Sequence, residues 1–234
     1  ILITQAIQQI SEQVDIAEVY SPPRVASEAL KYGMKAGLSM DLTTGWDFTR
    51  NEHKEAAREY RRRVKPKLLI GSPMCRMFSS LQNLSKKTWN EEREQEYVEA
   101  IEHIKFVVSL YKEQIDDGLM FLHEHPSSAT SWDLEEIRQL MKETGVKITV
   151  AEQCMYGLKT KGRNNKDMKP ARKRTKFLTN SDEIAKELQR RCNQQHEHQA
   201  LIGGRAAEAA RYPEGLCKAI CLGLMRELRN ETQM

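Results

Sequence analysis

Apolar runs of strand length alternate with longer segments of helical period along most of this chain, and that alternation constrains the fold more than any other feature. A strand reaches a parallel neighbour only by crossing over a face of the sheet, and the crossover is normally a helix. Repeated alternation therefore means a parallel sheet covered by helices. The runs that read as strands are 16–20, 38–42, 67–73, 119–125, 147–153 and 174–180. Helical composition and spacing mark 51–63, 90–115, 133–145, 181–192 and 213–229. Within 90–115, Val98, Ile101, Ile104, Val107, Val108 and Tyr111 fall on one stripe, and Asn90 stands where it can cap the first turn. The expected fold class is α/β, a doubly wound, mostly parallel Rossmann-like sheet with helices on both faces.

At 234 residues the chain is long enough to bury a core without covalent staples, and a single domain over 1–234 is expected. Five cysteines, an odd number without regular spacing, speak against a secreted disulfide framework and for a reducing compartment, the nucleus or cytoplasm. No apolar run reaches membrane-spanning length, so no membrane partner is expected. The first residue is Ile1 rather than Met, which reads as a piece of something longer. Net charge is +4, and its distribution matters more than its size. Basic residues cluster in 58–67 and again in 159–176, where nine Lys or Arg stand against one acid. Residues 159–172 show no apolar period and are expected to form a long basic loop after a strand.

In an open parallel sheet the ligand crevice lies at the carboxyl ends of the strands. The residues just past each expected strand collect reactive groups: 20-YSPPRV-25, 41-DLTTGWD-47, 71-GSPMCRMFS-79, 123-HEHPSSATSW-132 and 152-EQCMYGL-158. Cys75 reads as a nucleophile, a metal ligand or a small buried hydrophobe, and Glu124 as a proton-holding acid or a loop-ordering one. Together they resemble a family. Gly71-Ser72-Pro73-Met74-Cys75 followed by Phe78-Ser79 looks like the catalytic loop of cytosine-5 DNA methyltransferases, Gly-Pro-Pro-Cys-Gln and then Phe-Ser. Phe121 to Pro126 stands where that family has Glu-Asn-Val. Residues 153–158 with 170–181 resemble its Gly-Val-Pro-Gln and Arg-rich strand, and 202–220 its closing motifs. The match spans most of 16–225 and is also similar to methyltransferase-like domains of retrotransposon-type polyproteins in protists.

The resemblance implies a chemistry and assigns residues to it. Carbon 5 of cytosine is a poor nucleophile until a thiolate adds at carbon 6 and makes the ring an enamine. Cys75 would supply the thiolate, Glu124 would hold a proton at ring nitrogen 3, and Arg172 or Arg174 would bind near the base or a phosphate. Tyr20, Ser21, Arg24, Asp41, Trp46 and Pro73 would line the S-adenosylmethionine pocket. Arg76, Lys159, Lys161, Arg163, Lys169 and Lys173 would hold the nucleic-acid backbone, with DNA the expected partner and RNA the alternative. The target base would have to be flipped out of a duplex.

Three departures from the family stand in the sequence. Ser21-Pro22-Pro23-Arg24 replaces its Gly-rich donor loop and removes two amides, Met74 replaces a proline, and His125 replaces an asparagine. No segment is long enough for a separate target-recognition domain. A catalytically inactive nucleic-acid-binding or interaction module on the same fold is the competing reading. Zinc belongs with it: Cys192, His196 and His198 place three soft or borderline donors within seven residues, with Cys154, Cys217 and Glu197 as available fourth ligands. On a strand, His123 and His125 share one face and Glu124 takes the other, so those three do not share one metal.

Overall fold

The computed structural model describes residues 12–80, 82, 86–162, 167–202 and 204–233. The strand-length runs become β1 (Ile16–Val19), β2 (Ala36–Met40), β3 (Leu68–Gly71), β4 (Met120–Pro126), β5 (Lys147–Glu152) and β8 (Arg174–Thr179), which form one six-stranded sheet in the order β2-β1-β3-β4-β8-β5. Pairings of β1 with β2, β1 with β3, and β3 with β4 are parallel. Strand β8 runs antiparallel between β4 and β5, and it alone opposes the direction of the other five.

Alternation along each strand divides the core in two. Ala17, Leu69, Phe121 and Leu178 point to one face, where they meet α2 (Asn51–Val64), α3 (Glu91–Asp116) and α4 (Glu135–Leu140). Ile16, Leu68, Ile70, Leu122 and Phe177 point to the other, against α1 (Val25–Leu30), α5 (Asp182–Glu187) and α7 (Glu214–Thr232). Helices therefore cover both faces. The stripe on α3 is buried at Ile104, Val107, Val108 and Tyr111, but Val98 is half exposed, because Tyr97, Ala100 and Ile101 take the core-facing side of that turn. Asn90 caps α3 by accepting from the Arg93 amide at 3.0 Å.

Several expected boundaries move. Helix α1 follows Pro23 and was not legible, since six residues carry too little periodicity. Segment 133–145 holds only the short α4, preceded by a 3-10 turn at Thr130–Asp133. Segment 181–192 is helical only over α5, which Ser181 caps through the Ile184 amide at 3.2 Å. The expected loop at 159–172 is instead built on an antiparallel hairpin, β6 (Lys159–Lys161) paired with β7 (Met168–Pro170). A further helical turn, α6 (Arg205–Glu208), precedes α7.

Candidate functional site

Strand β3 ends at Gly71, where any Cβ would run into the Tyr111 hydroxyl and Val107 on α3. Only glycine lets the strand pass so close to the helix, and the chain then turns outward through Ser72 and Pro73 to Cys75. His125 on β4 pins this turn, donating from Nε2 to the Pro73 carbonyl at 2.9 Å. A carbonyl only accepts, so Nε2 carries the proton and Nδ1 accepts from the Ser131 hydroxyl at 2.6 Å. Burial pushes His125 below the ordinary imidazole range and keeps it neutral. Pro73, expected in a donor pocket, supplies the carbonyl of this anchor.

Glu124 lies on the opposite face of β4 from His123 and His125, as strand alternation requires. It is 5% exposed and pairs with Lys173 Nζ at 3.4 Å. Lys173 reaches it because β8 enters antiparallel, with Phe177 opposite Glu124 in the register. Cys75 senses both groups. Burial pushes its thiol up, the Glu124 carboxylate adds to that, and Lys173 pulls the other way. Tyr212, from the segment before α7, closes the crevice from the other side and shares a hydrogen bond with Ser72. Cys75, Glu124 and Lys173 thus converge at the carboxyl ends of β3 and β4. Ser72 and Tyr212 join them through their shared hydrogen bond, a pairing across 140 residues that the sequence does not announce.

The turn after β1 does not fit S-adenosylmethionine. Glu18, fully buried on β1, accepts from the amides of Arg24 and Ala26, each at 2.9 Å, and from the Ser21 hydroxyl at 2.8 Å. Two amides of this turn are therefore already taken by Glu18, and Pro22 and Pro23 supply none. Burial raises the Glu18 carboxyl above its ordinary range even though these bonds lower it. Arg24 donates to the Ala210 carbonyl and lies over the Tyr212 ring. Tyr20 adopts a positive φ of 58° and turns its ring onto Phe48, with its hydroxyl on His103. Trp46 is 7% exposed and packs on Phe48 in the core. Asp41 caps its own 3-10 turn through the Thr43 amide. Each of the six residues expected in the donor pocket has a structural contact of its own within the fold.

The second centre is metal-like. Cys154, Cys192, His196 and His198 present ligand atoms that all lie within 4.8 Å of one another. Cys154 sits in the 3-10 turn Gln153–Tyr156 after β5, and the other three come from the chain after α5. Of the other fourth ligands considered, Cys217 is buried in the core and Glu197 pairs with Lys169. Glu152, 3% exposed, binds Arg172 through one oxygen and accepts from the Cys192 amide with the other at 2.7 Å. Burial alone would raise the Glu152 carboxyl, but the Cys192 amide and Arg172 outweigh it and hold it below its ordinary range.

Arg172 therefore stands beside this cluster, paired with Glu152. Arg174 is exposed opposite Glu152 in the strand register, and Lys159, Lys161 and Lys169 are exposed on the hairpin. Arg76 is exposed beside Cys75, whereas Arg163 lies outside the described residues. An open groove of about 750 Å³ runs past the metal-like cluster, lined by Lys169, Arg172, Gln194, His196, His198 and Ile202 among others. No helix among the described residues is long and apolar enough to cross a membrane. No protein-family model matches the chain, and no curated protein matches it.

Proposed function

We propose that this domain binds nucleic acid along the carboxyl edge of its sheet and offers Cys75 to a pyrimidine base. The observation that carries the reading is the convergence of Cys75, Glu124 and Lys173 on adjoining strand ends. Glu124 as a carboxylate takes the Cys75 proton, and Lys173 stabilises the thiolate. The thiolate adds to carbon 6 of cytosine, the carbon 5–carbon 6 π pair shifts to carbon 4–carbon 5, the carbon 4–nitrogen 3 π pair moves onto nitrogen 3, and Glu124 delivers the proton there. Reversal restores both partners. Exposed cations of the hairpin and of β8 hold the phosphates. The order of the sheet, with one late antiparallel strand between the fourth and fifth, supports the methyltransferase-type scaffold that the motif resemblance implies. Methyl transfer is not included, since the β1 turn does not fit the donor. The cofactor that goes with this reading is Zn²⁺ at the Cys154 cluster, as a structural ion.

An oligonucleotide carrying 2-pyrimidinone tests the chemistry, because its carbon 6 accepts a thiol without any methyl donor. Wild-type protein is expected to form an adduct stable on a denaturing gel, Cys75→Ser none, and Glu124→Gln an adduct formed roughly 10²–10⁴-fold more slowly. Absence of an adduct with both DNA and RNA probes would remove Cys75 from the reading. A second reading, binding without chemistry, is favoured by the raised Cys75 thiol and the filled β1 turn. It predicts probe binding without an adduct.

A further inference from the structure

We infer that Cys154, Cys192, His196 and His198 form a closed Zn²⁺ site that clasps the strap at 189–202 onto the basic hairpin, so that the nucleic-acid-facing rim takes shape only with metal bound. The rim rests on the proposal above; the metal rests on ligand geometry alone.

Tetrahedral zinc with Zn–S near ~2.3 Å and Zn–N near ~2.0–2.1 Å puts neighbouring sulfur and nitrogen corners ~3.6 Å apart. Cys192 Sγ lies 3.5 Å from His196 Nε2 and 3.4 Å from His198 Nε2. Hydrogen bonds alone would explain those two contacts. They do not explain the second sulfur, Cys154, brought to the same point from another segment, because a thiol is too weak a donor to hold it there. Two thiolates cancel the charge of Zn²⁺, and the soft sulfur donors exclude the oxygen-seeking Mg²⁺ and Ca²⁺. With four protein ligands no coordination position stays open, so the ion is structural and not catalytic.

The surroundings are those of a finished site. The Gln194 amide donates to Cys192 Sγ at 3.3 Å, and Gln194 adopts a positive φ of 61°, the turn that brings the two histidines back onto Cys192. Glu152 holds the Cys192 amide while Arg172 neutralises Glu152, so the outer shell adds no net charge.

The strap depends on this site. Residues 189–202 contain no helix or strand. Their ties to the rest of the chain include the Arg190 carbonyl on the Glu152 amide, the Cys192 amide on Glu152, and the Gln199 amide on the Pro170 carbonyl of β7. The last places the strap against the hairpin that carries Lys159, Lys161 and Lys169. Few internal bonds and one polydentate knot mean that the strap's order is set by metal binding.

Three measurements on the intact chain test this. Elemental analysis is expected to find about one zinc per chain, as the one four-ligand centre among the described residues demands. Cobalt exchange is expected to give the visible bands of tetrahedral thiolate coordination. Chelation is expected to open trypsin cleavage at Arg190 and Arg191 and to weaken binding of a fluorescein-labelled DNA duplex by roughly tenfold, as losing about two phosphate contacts would, with zinc restoring both. Cys192→Ser is expected to mimic chelation, and the chelated wild type covers the case in which that variant misfolds. Failure to retain zinc or to give the cobalt spectrum overturns the inference. Duplex binding that chelation leaves unchanged overturns it while the nucleic-acid reading stands. Binding in neither form overturns the nucleic-acid reading and with it the rim, while the zinc site stands or falls on the elemental and cobalt results.

Discussion

Cys75 decides whether the crevice does chemistry, and its surroundings make a definite statement about its proton. Burial and the Glu124 carboxylate raise the thiol above its ordinary value, and only Lys173 opposes them. At neutral pH the resting side chain is a thiol, with the thiolate growing as pH rises. Glu124→Gln removes a negative neighbour and should speed iodoacetamide labelling of Cys75 at fixed pH, whereas Lys173→Met should slow it. Mass spectrometry of the labelled peptide across a pH series measures both, and equal rates in the two variants would show that the three groups do not share a site. Cys75 and Glu124 were legible in the sequence because reactive residues at strand ends stand out against apolar runs. Glu18 was not. In 16-IAEVY-20 nothing local says that two backbone amides six and eight residues on will bury the acid.

Elements were legible where length gave periodicity a chance to show. Strands β3 and β4 and helices α3 and α7 declare themselves in long apolar patterns, whereas β6 and β7 have three residues each and read as loop. Partner choice was hidden as well: the run that became β8 shows no sign that it lies antiparallel between β4 and β5. Helix α7 illustrates a contact that only the assembled fold reveals. A Cβ on Gly223 would stand 2.7 Å from the Ile184 Cα and 3.0 Å from its nitrogen, so α5 and α7 approach backbone to backbone at this point. Alanine favours a helix interior over glycine by about 1 kcal/mol. The clash here is with backbone, which cannot rotate away, and overpacking of that kind costs about 1–3 kcal/mol. Gly223→Ala should therefore be net destabilising, lowering the melting temperature by a few degrees, at about 2–4 °C per kcal/mol for a chain of this size. A melting temperature at or above wild type would mean that α5 does not pack there.

Across the whole molecule, the strand ends gather three things on one edge: the Cys75 crevice, the metal-like cluster and the exposed cations. The arrangement follows from topology. Strand β8 enters antiparallel, so Arg172, Lys173 and Arg174 arrive at the carboxyl ends of β4 and β5 rather than at the far side of the sheet. Two of these cations are committed, Arg172 to Glu152 and Lys173 to Glu124. The proposed phosphate contacts then fall to exposed residues such as Lys159 and Lys161, which alternate with the buried Thr160 and so share a face of the hairpin. Each phosphate neutralised on a duplex contributes about 0.9 to the slope of log affinity against log salt. Lys159→Ala with Lys161→Ala should thus weaken binding by a similar factor on every sequence and flatten that slope by about 2. Anisotropy titrations on two unrelated duplexes over a salt series would measure it. An unchanged slope would move the nucleic-acid face off the hairpin, and a loss confined to one duplex would mean that these lysines read bases instead of phosphates.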